Sequence, residues 1–359
     1  MSEPIFIARQ DTLEQEILPA HWLAQYKLFG EESYTFQDKG IWKKLCMSRA
    51  AANDRDMHAE ALEEMLTTFS AEHTGKWMLL VYGMDAAALE GLATMAAIAA
   101  NGTAMGAIAD NALLMHAIAN SETAMQRIAN SQTAMQRVAN NRGAMDAIGR
   151  SRIARDAVQA SPYYNSYIKE NDMAIAKLVV GFANLESAGY SGCAGMAADS
   201  TAMTAVAASS TAMTAVAASG VALKAIAQAY KNTANMLQFL KAVNASDTLI
   251  KRIYNTLTNA TALFGTAQLG GQDSVADANK WATTSAAPNA FLACACSYYN
   301  SGGASVDVTY NGTAIAQNKT GTRQPGSVTS TNVNAITMAP STFTENGDGW
   351  LAVQKFTVK

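Results

Sequence analysis

The sequence predicts a multidomain α+β protein with a helical N-terminal region, an α-helical shaft of decapeptide repeats and a C-terminal antiparallel β-sandwich. Three observations lead to this prediction. The first residues are charged and aromatic, a ten-residue repeat fills the middle, and short alternating segments separated by turn residues end the chain. We place the regions at 1–85, 86–260 and 261–359. With 359 residues the chain is long enough for two or three domains.

The N-terminal region carries much of the charge. Residues 1–76 hold 13 of the 29 acidic and 8 of the 26 basic side chains, whereas the remainder is rich in Ala, Thr, Ser and Met. Asp11 and Glu14 have the spacing of a capping box, and residues 50–69 have the pattern of an amphipathic helix. We expect this region either to dock on another protein or to cap the end of the repeat stack.

The middle of the chain repeats one decapeptide. Units such as "NGTAMGAIAD", "SETAMQRIAN" and "SQTAMQRVAN" follow one another without a gap over 91–160. The pattern returns over 199–228 as "DSTAMTAVAA", "SSTAMTAVAA" and "SGVALKAIAQ", and "SDTLIKRIYN" at 246–255 is a more distant echo. A fixed period of this quality predicts a repeat architecture.

One unit is predicted to form two helical turns and a corner. In "SETAMQRIAN" the apolar residues fall on one helix face, Ser121 is a suitable N-cap, and Asn130 suits the left-handed residue that ends a short helix. Ten residues at about 100° each leave the apolar stripe roughly 80° out of phase at every repeat. We therefore expect short helices joined by capped corners rather than one long helix.

Such short helices are stable only when they stack on neighbours, within one chain or between chains. We favour three chains that share one core, because closed cyclic symmetry is the usual solution for thin repeats. Two alternatives stay open. Ala recurs every five residues, as in a pentapeptide β-solenoid, and an ice-binding ladder would use Thr103, Thr123, Thr133, Thr201 and Thr211.

The C-terminal region has strand and turn signals. "FLACACSYY", "SVDVTY", "VNAITM" and "WLAVQKFTV" read as strands, and "NSGGA" and "ENGDG" read as turns. Alternation places Cys294 and Cys296 on one strand face, which favours core packing over redox chemistry. Exposed aromatic rings in this region are candidates for contact with a surface glycan. These residues are Trp281, Tyr298, Tyr299, Tyr310 and Trp350.

Charge and hydropathy exclude several classes of partner. A formal charge of −3 provides no basic field for nucleic acid or for an anionic membrane. The opening lacks the pattern of a secretory signal, and no apolar run approaches the roughly 20 residues that cross a bilayer. The cysteines lack metal-ligand spacing, so we expect reduced, buried thiols in a protein made in a cytoplasm. They are Cys46, Cys193, Cys294 and Cys296.

No catalytic constellation is evident, and we predict no enzyme activity, no cofactor and no metal site. The chain has no HExxH, GxSxG, Walker loop or GxGxxG motif, and its four histidines are far apart in sequence. The stretch "ENGDGW" is typical of a turn and lacks the ligand spacing of an EF-hand. A glycan-degrading activity would need carboxylates such as Asp307, Glu345 and Asp348.

The units "SSTAMTAVAAS" and "NSETAMQRIAN" resemble the short Ala/Met/Thr repeats of tail-fibre and other appendage proteins of tailed bacteriophages, over residues 91–228. The resemblance implies a non-enzymatic virion protein, made in the host cytoplasm and commonly trimeric. It also implies that residues 1–85 anchor to other virion proteins and that the β-rich tip contacts a host-surface glycan or protein. The modest shaft and small tip leave tail-fibre, neck or collar, and baseplate positions open. A bacterial surface adhesin or a sugar-binding module is the alternative.

Overall fold

The computed structural model describes residues 59, 62–63, 66–67, 74–273, 280–282, 289–298, 303–323, 327–347 and 349–359. The chain divides into two compact units, 1–168 and 169–359, so the division lies within the predicted repeat region. Each unit is described by itself. The predicted capping box of Asp11 and Glu14 lies outside the described residues, as does most of the predicted amphipathic helix over 50–69.

The predicted α+β class is confirmed, because helices fill the described chain up to residue 259 and two mainly antiparallel sheets follow. Short helices separated by single residues or tight turns make up the first unit from Thr74 onward. They are α1 (Thr74–Tyr82), α2 (Ala86–Leu89), α3 (Met95–Ala100), α4 (Gly102–Asp110), α5 (Ala112–Ala119), α6 (Glu122–Ala129), α7 (Gln132–Ala139), α8 (Arg142–Arg150), α9 (Arg152–Ala160) and α10 (Tyr164–Tyr167).

The second unit continues with helices of similar length before its strands begin. Its helices are α11 (Asp172–Phe182), α12 (Cys193–Ala198), α13 (Ser200–Ala208), α14 (Ser210–Ala218), α15 (Gly220–Gln228), α16 (Thr233–Asn244) and α17 (Asp247–Asn259). Its strands are β1 (Phe264–Asp273), β2 (Lys280–Ala282), β3 (Ala290–Tyr298), β4 (Ala304–Tyr310), β5 (Thr313–Thr320), β6 (Thr322–Arg323), β7 (Ala335–Met338), β8 (Ser341–Gly347) and β9 (Gly349–Val358).

From α3 onward, helices of the same unit pack on the helix three places further along the chain. In the first unit α4 contacts α7, α5 contacts α8 and α6 contacts α9; in the second, α11 to α14 contact α14 to α17 in the same order. The corner between α13 and α14 bends the chain by 104°. Three corners of this size return the backbone to the same side, one layer further on. Layers of three helices therefore form within a single chain.

The apolar face of each helix points into this stack. Ala124, Met125 and Ile128 are 0% exposed and Ala129 is 4% exposed, as the helical periodicity predicts. The methionine of successive units, from Met105 to Met145, is buried at the same position each time. Residues 102–160, all of which the structure describes, form helices and corners, so the pentapeptide β-solenoid is not the fold.

Arg155 takes the position that methionine holds in the preceding units. Its side chain is 8% exposed, and Nη1 donates to the carbonyl of Gly149 at 2.7 Å. Burial lowers the pKa of this guanidinium from its usual value. The apolar interior of the first unit therefore changes character at α9, where a charged group replaces the thioether.

Three corner serines of the first unit form hydrogen bonds in two directions. Ser131, Ser151 and Ser161 each accept a hydrogen bond from a backbone N–H of the helix they begin or of the turn that follows. Each hydroxyl also donates to a carbonyl 32 residues earlier, at the end of a helix in the previous layer. These bonds run from Ser131 to Ala99 at 2.6 Å, from Ser151 to Ala119 at 2.5 Å and from Ser161 to Ala129 at 2.5 Å.

The N-cap role predicted for Ser121 is confirmed, because its Oγ accepts from Ala124 N at 3.1 Å. The left-handed conformation predicted for Asn130 is wrong. Asn130 has φ −91° and ψ 4°, and its side-chain amide donates to the carbonyl of Gln126 at 2.9 Å. Asparagine ends the helix by satisfying a terminal carbonyl with its side chain, so no positive φ is needed.

The strands form two sheets. In the five-stranded sheet β9 pairs antiparallel with both β1 and β3, and the other edge of β3 pairs antiparallel with β7 and parallel with β6. The four-stranded sheet has the order β2-β8-β4-β5 and is antiparallel throughout. Burial alternates along β4, whereas β3 is buried on both faces.

The helices of the second unit share a core with the five-stranded sheet. The Phe239 ring of α16 lies 6.4 Å from that of Phe291 on β3, and the Tyr254 ring of α17 contacts Phe356 on β9 edge to face at 5.8 Å. The Asn244 amide donates to Ile336 O and accepts from Ile336 N, as a neighbouring strand would. The sheet is therefore packed against the helical stack of its own unit.

Among the described residues, no single helix is long and apolar enough to span a membrane. Helices α13 and α14 together have the length and apolar composition of a membrane span, but the chain bends by 104° between them.

We expect Ser151→Ala to lower the free energy of unfolding of the first unit by about 2 kcal/mol. The change removes an N-cap and leaves the buried carbonyl of Ala119 without the hydroxyl that bonds it. Urea unfolding followed by circular dichroism measures the loss. The exposed Ser166→Ala is the matched control and should change stability by less than about 0.5 kcal/mol. Equal effects of the two substitutions would show that the interlayer bond contributes nothing.

Candidate functional site

A groove of about 900 Å³ runs beside the last helix of the second unit. We call it the α17 groove. Its lining residues are Lys169, Glu170, Ala218, Val221, Thr248, Lys251, Arg252, Asn255, Thr256, Asn259, Ala260, Ala262 and Leu263. A second cavity in the described parts of the chain, between α4 and α7, has a volume of about 340 Å³.

Helix α17 supplies one wall of the groove because it is amphipathic. Ile250, Ile253 and Leu257 are fully buried in the unit. The opposite face carries Thr248, Lys251, Arg252, Asn255 and Asn259, all of them exposed, at intervals of three or four residues. Ser246 begins the helix and accepts a hydrogen bond from Leu249 N at 3.3 Å. The cap and the buried stripe thus fix which side chains face the groove.

Glu170 holds another part of the groove in place. Its two carboxylate oxygens accept from the backbone N–H groups of Gly220 and Val221, each at 3.1 Å, at the start of α15. A carboxylate is stabilised there by the positive end of the helix dipole. Lys169 Nζ lies 3.9 Å from Glu170 Oε1. The groove therefore contains three cationic side chains and one carboxylate whose oxygens already accept backbone bonds.

Of the five predicted aromatic residues, the structure describes the side chains of Tyr298 and Tyr310. Tyr310 is 1% exposed, so it is excluded as a surface contact by burial in the core. Tyr298 is half-buried at the end of β3, where its neighbour Ser297 pairs with Trp350 of β9. Trp281 lies in β2 of the other sheet. Tyr299 and the side chains of Trp281 and Trp350 lie outside the described residues.

Of the three candidate carboxylates, the structure describes that of Asp307. Asp307 Oδ1 accepts from Asn318 N at 2.6 Å, across the β4–β5 pair. Asp348 and the side chain of Glu345 lie outside the described residues. Within the described parts of the chain, no group of three or more His, Cys, Asp or Glu side chains is placed to hold a metal ion.

The threonines of the repeat do not form one ladder. Helices stack three places apart, so Thr103 of α4 shares a side with Thr133 of α7, while Thr123 of α6 lies on a different side. Thr123 Oγ1 also donates to Glu63 at 2.6 Å. A flat array of these hydroxyls, as an ice-binding surface would need, is not present.

The thiols among the described residues are buried. Cys193, Cys294 and Cys296 are all fully buried and free of disulfides. Burial raises the pKa of the Cys193 and Cys294 thiols well above the usual value, and for Cys193 the nearby Asp172 carboxylate adds to the rise. The predicted core packing of Cys294 and Cys296 agrees with this arrangement.

Sequence reasoning missed the cationic face of α17. The signal was available in "SDTLIKRIYN", where Lys251 and Arg252 follow Ile250 at positions that face away from the apolar stripe. The groove itself depends on α15 and on the turn at 260–263, which pack beside α17 only in the folded unit. No local sequence pattern predicts that packing.

The sequence matches no protein-family model, and no curated protein matches it at a significant level of similarity.

We expect Cys193, Cys294 and Cys296 to resist alkylation by iodoacetamide at about pH 8 in the native protein and to react fully in denaturing guanidinium. Burial makes all three inaccessible, and it raises the pKa of the Cys193 and Cys294 thiols, so these two stay protonated. Peptide mass spectrometry reads each cysteine separately, so Cys46 does not affect the result. Native labelling of Cys294 would contradict a sealed core in the five-stranded sheet.

Proposed function

We propose that the chain is a non-enzymatic structural protein of a tailed-phage particle, made in the host cytoplasm and placed as a tail fibre, a neck or collar component or a baseplate appendage. Its decapeptide repeats act as a spacer. A C-terminal β-sandwich contacts a host surface or another virion protein, and residues 1–85 attach to the particle.

The observation that supports a spacer is the repeated bond between layers. Three corner serines of the first unit, Ser131, Ser151 and Ser161, each donate to a carbonyl 32 residues earlier, in the previous layer. Because each layer contacts only its neighbours, layers can be added without a new core. A structure of this kind sets a distance by the number of its repeats.

Burial alternates along β4, so the four-stranded sheet has one buried face. Strand β3 is buried on both faces, and helices cover one face of its sheet. Both observations support a sandwich, in which the two sheets share a core. Glu63 supports a capping role for part of the N-terminal region. Its carboxylate accepts from Ser121 Oγ, Thr123 Oγ1 and Thr123 N. Capping by Glu63 and particle attachment by residues nearer the N-terminus are compatible.

Three copies of the chain remain our proposal for the assembly, now on grounds of cyclic symmetry alone. The packing reason for a trimer is weaker, because the layers bury their apolar side chains within one chain. Light scattering of the purified chain distinguishes a trimer from a monomer, and a stable monomer would remove the trimer from the proposal.

We expect antibodies against the purified chain to label particles from the phage whose genome encodes it, at one fixed position. Immunogold electron microscopy identifies the position, and mass spectrometry of gradient-purified particles counts the copies. Particles from a phage lacking the gene are the control. If the protein is confined to the soluble lysate, the virion role is wrong.

We expect three added copies of residues 121–150, inserted after Arg150, to lengthen the protein by about 27 Å while preserving cooperative unfolding. Each copy should add one layer, and stacked helices lie about 9 Å apart. Small-angle X-ray scattering measures the maximum dimension. The control insert replaces Ser121, Ser131 and Asn141 of each copy by Ala and should fail to stack. An unchanged maximum dimension with native helicity would contradict the spacer.

A further inference from the structure

We propose that the α17 groove binds an extended acidic peptide segment of a partner protein. The proposal goes beyond the spacer role and does not depend on it, because every residue that forms the groove belongs to the second unit. Three properties of the groove lead to this ligand: its charge, its apolar lining residues and the spacing of two side-chain amides.

The charge of the groove favours an acidic ligand. Lys169, Lys251 and Arg252 line it, and Lys251 and Arg252 are exposed. The one carboxylate in the lining, Glu170, directs both oxygens at backbone N–H groups of α15. Complementary charge increases the association rate and excludes basic partners. Carboxylates of Asp or Glu are the groups on a protein that fit this surface.

The apolar lining of the groove favours a ligand with apolar side chains as well. Five lining residues are apolar, and none of the thirteen is aromatic. A neutral sugar would find no ring on which to stack. In an extended peptide that alternates acidic and apolar residues, the acidic side chains point to one side, toward the cations, and the apolar side chains point to the other. The apolar lining residues are Ala218, Val221, Ala260, Ala262 and Leu263.

Two amides on α17 fit the backbone of such a peptide. Asn255 and Asn259 are exposed, both line the groove, and they lie four residues apart. Four helical residues rise about 6 Å. Two residues of an extended chain advance about 6.7 Å. Each carboxamide offers a donor and an acceptor, as a peptide group does, so the pair can bond to alternate peptide groups of a bound strand.

Phosphate groups fit less well. Proteins commonly bind phosphate with backbone N–H groups at a helix N-terminus. At the start of α15, the Gly220 and Val221 N–H groups beside the groove already bond to Glu170. A phosphate would therefore have to compete with that carboxylate for these two N–H groups.

The test measures binding of a fluorescein-labelled peptide of six alternating Asp and Leu residues to the full-length chain by fluorescence anisotropy. We expect saturable binding that weakens as salt is raised. The same peptide with Lys in place of Asp, tripolyphosphate and trigalacturonic acid serve as competitors. We expect none of the three to displace the acidic peptide at an equal concentration.

Two double variants test the two kinds of contact. K251A/R252A should weaken binding about tenfold through lost charge pairs. N255A/N259A should weaken it about fivefold without changing its salt dependence, because the lost bonds are to neutral peptide groups. All four positions are exposed on a helix, where Ala is well tolerated. The controls are K231A/K241A for charge and Gln238→Ala for an exposed amide, and each should change the affinity less than about twofold.

Several results would overturn the proposal. One is the absence of binding at about 1 mM peptide, a concentration that even weak complexes saturate. Another is displacement by tripolyphosphate or trigalacturonic acid at an equal concentration, which would assign the groove to phosphate or to an acidic sugar. A third is an equal effect of the groove variants and their controls, which would place the peptide elsewhere on the molecule.

Discussion

The bond from a corner side chain to the previous layer is the interaction on which the helical part of the structure depends. A helix of eight or nine residues leaves many of its N–H and carbonyl groups without intrahelical partners and is not stable alone. One corner serine satisfies a group at each of two helix ends. Ser151 Oγ accepts from Ala154 N at the start of α9 and donates to Ala119 O at the end of α5. Helix termination and layer stacking therefore use the same atom.

Asparagine performs the same two tasks with two atoms. Asn141 Oδ1 accepts from Ala144 N at the start of α8, while Nδ2 donates to Asp110 Oδ1 one layer away. Asn111 likewise accepts from Leu114 N and donates to Tyr82 O. Alanine at these positions would permit a corner but would remove both the N-cap bond and the bond to the other helix. The use of Ser or Asn at these unit boundaries follows from this need for one donor and one acceptor.

Much of the local structure could be predicted from the sequence. The apolar pattern of "SETAMQRIAN" identifies the buried face, and the mismatch between ten residues and the helical period predicts a break at each unit. The stacking partner could not be predicted, since identical units offer identical faces within a chain and between chains. Burial of Met125 is the same in either case. The 104° corner and the 32-residue hydrogen bonds decide it, and both are properties of the folded chain.

In the β-region, too, the sequence predicts the elements but not their partners. Alternation and turn residues identify strands such as β4 and β9, but the pairing of Phe264 with Val358 joins residues at opposite ends of the region. The candidate site was harder to predict from local sequence patterns. Lys251 and Arg252 lie in a segment whose helical pattern is evident from the sequence. Lys169 and Val221, in contrast, line the groove only because α14, α15 and α17 stack together. Only the assembled layers bring them together.

Two glutamates show what the fold does where a corner side chain cannot satisfy every N–H. At α6, Ser121 bonds the N–H of Ala124, and Glu63 takes that of Thr123. Leu89 O lies 32 residues before Ser121, yet the Ser121 hydroxyl donates to Glu63.

The same division occurs at α15 in the other unit. Ser219 bonds the N–H of Ala222, and Glu170 takes those of Gly220 and Val221. In each unit a carboxylate distant in sequence completes a helix start, where the helix dipole favours negative charge. At α15 this engagement has a second effect. Glu170 lines the α17 groove, but both of its carboxylate oxygens accept backbone hydrogen bonds. The cations of Lys251 and Arg252 therefore make the surface of the groove positive.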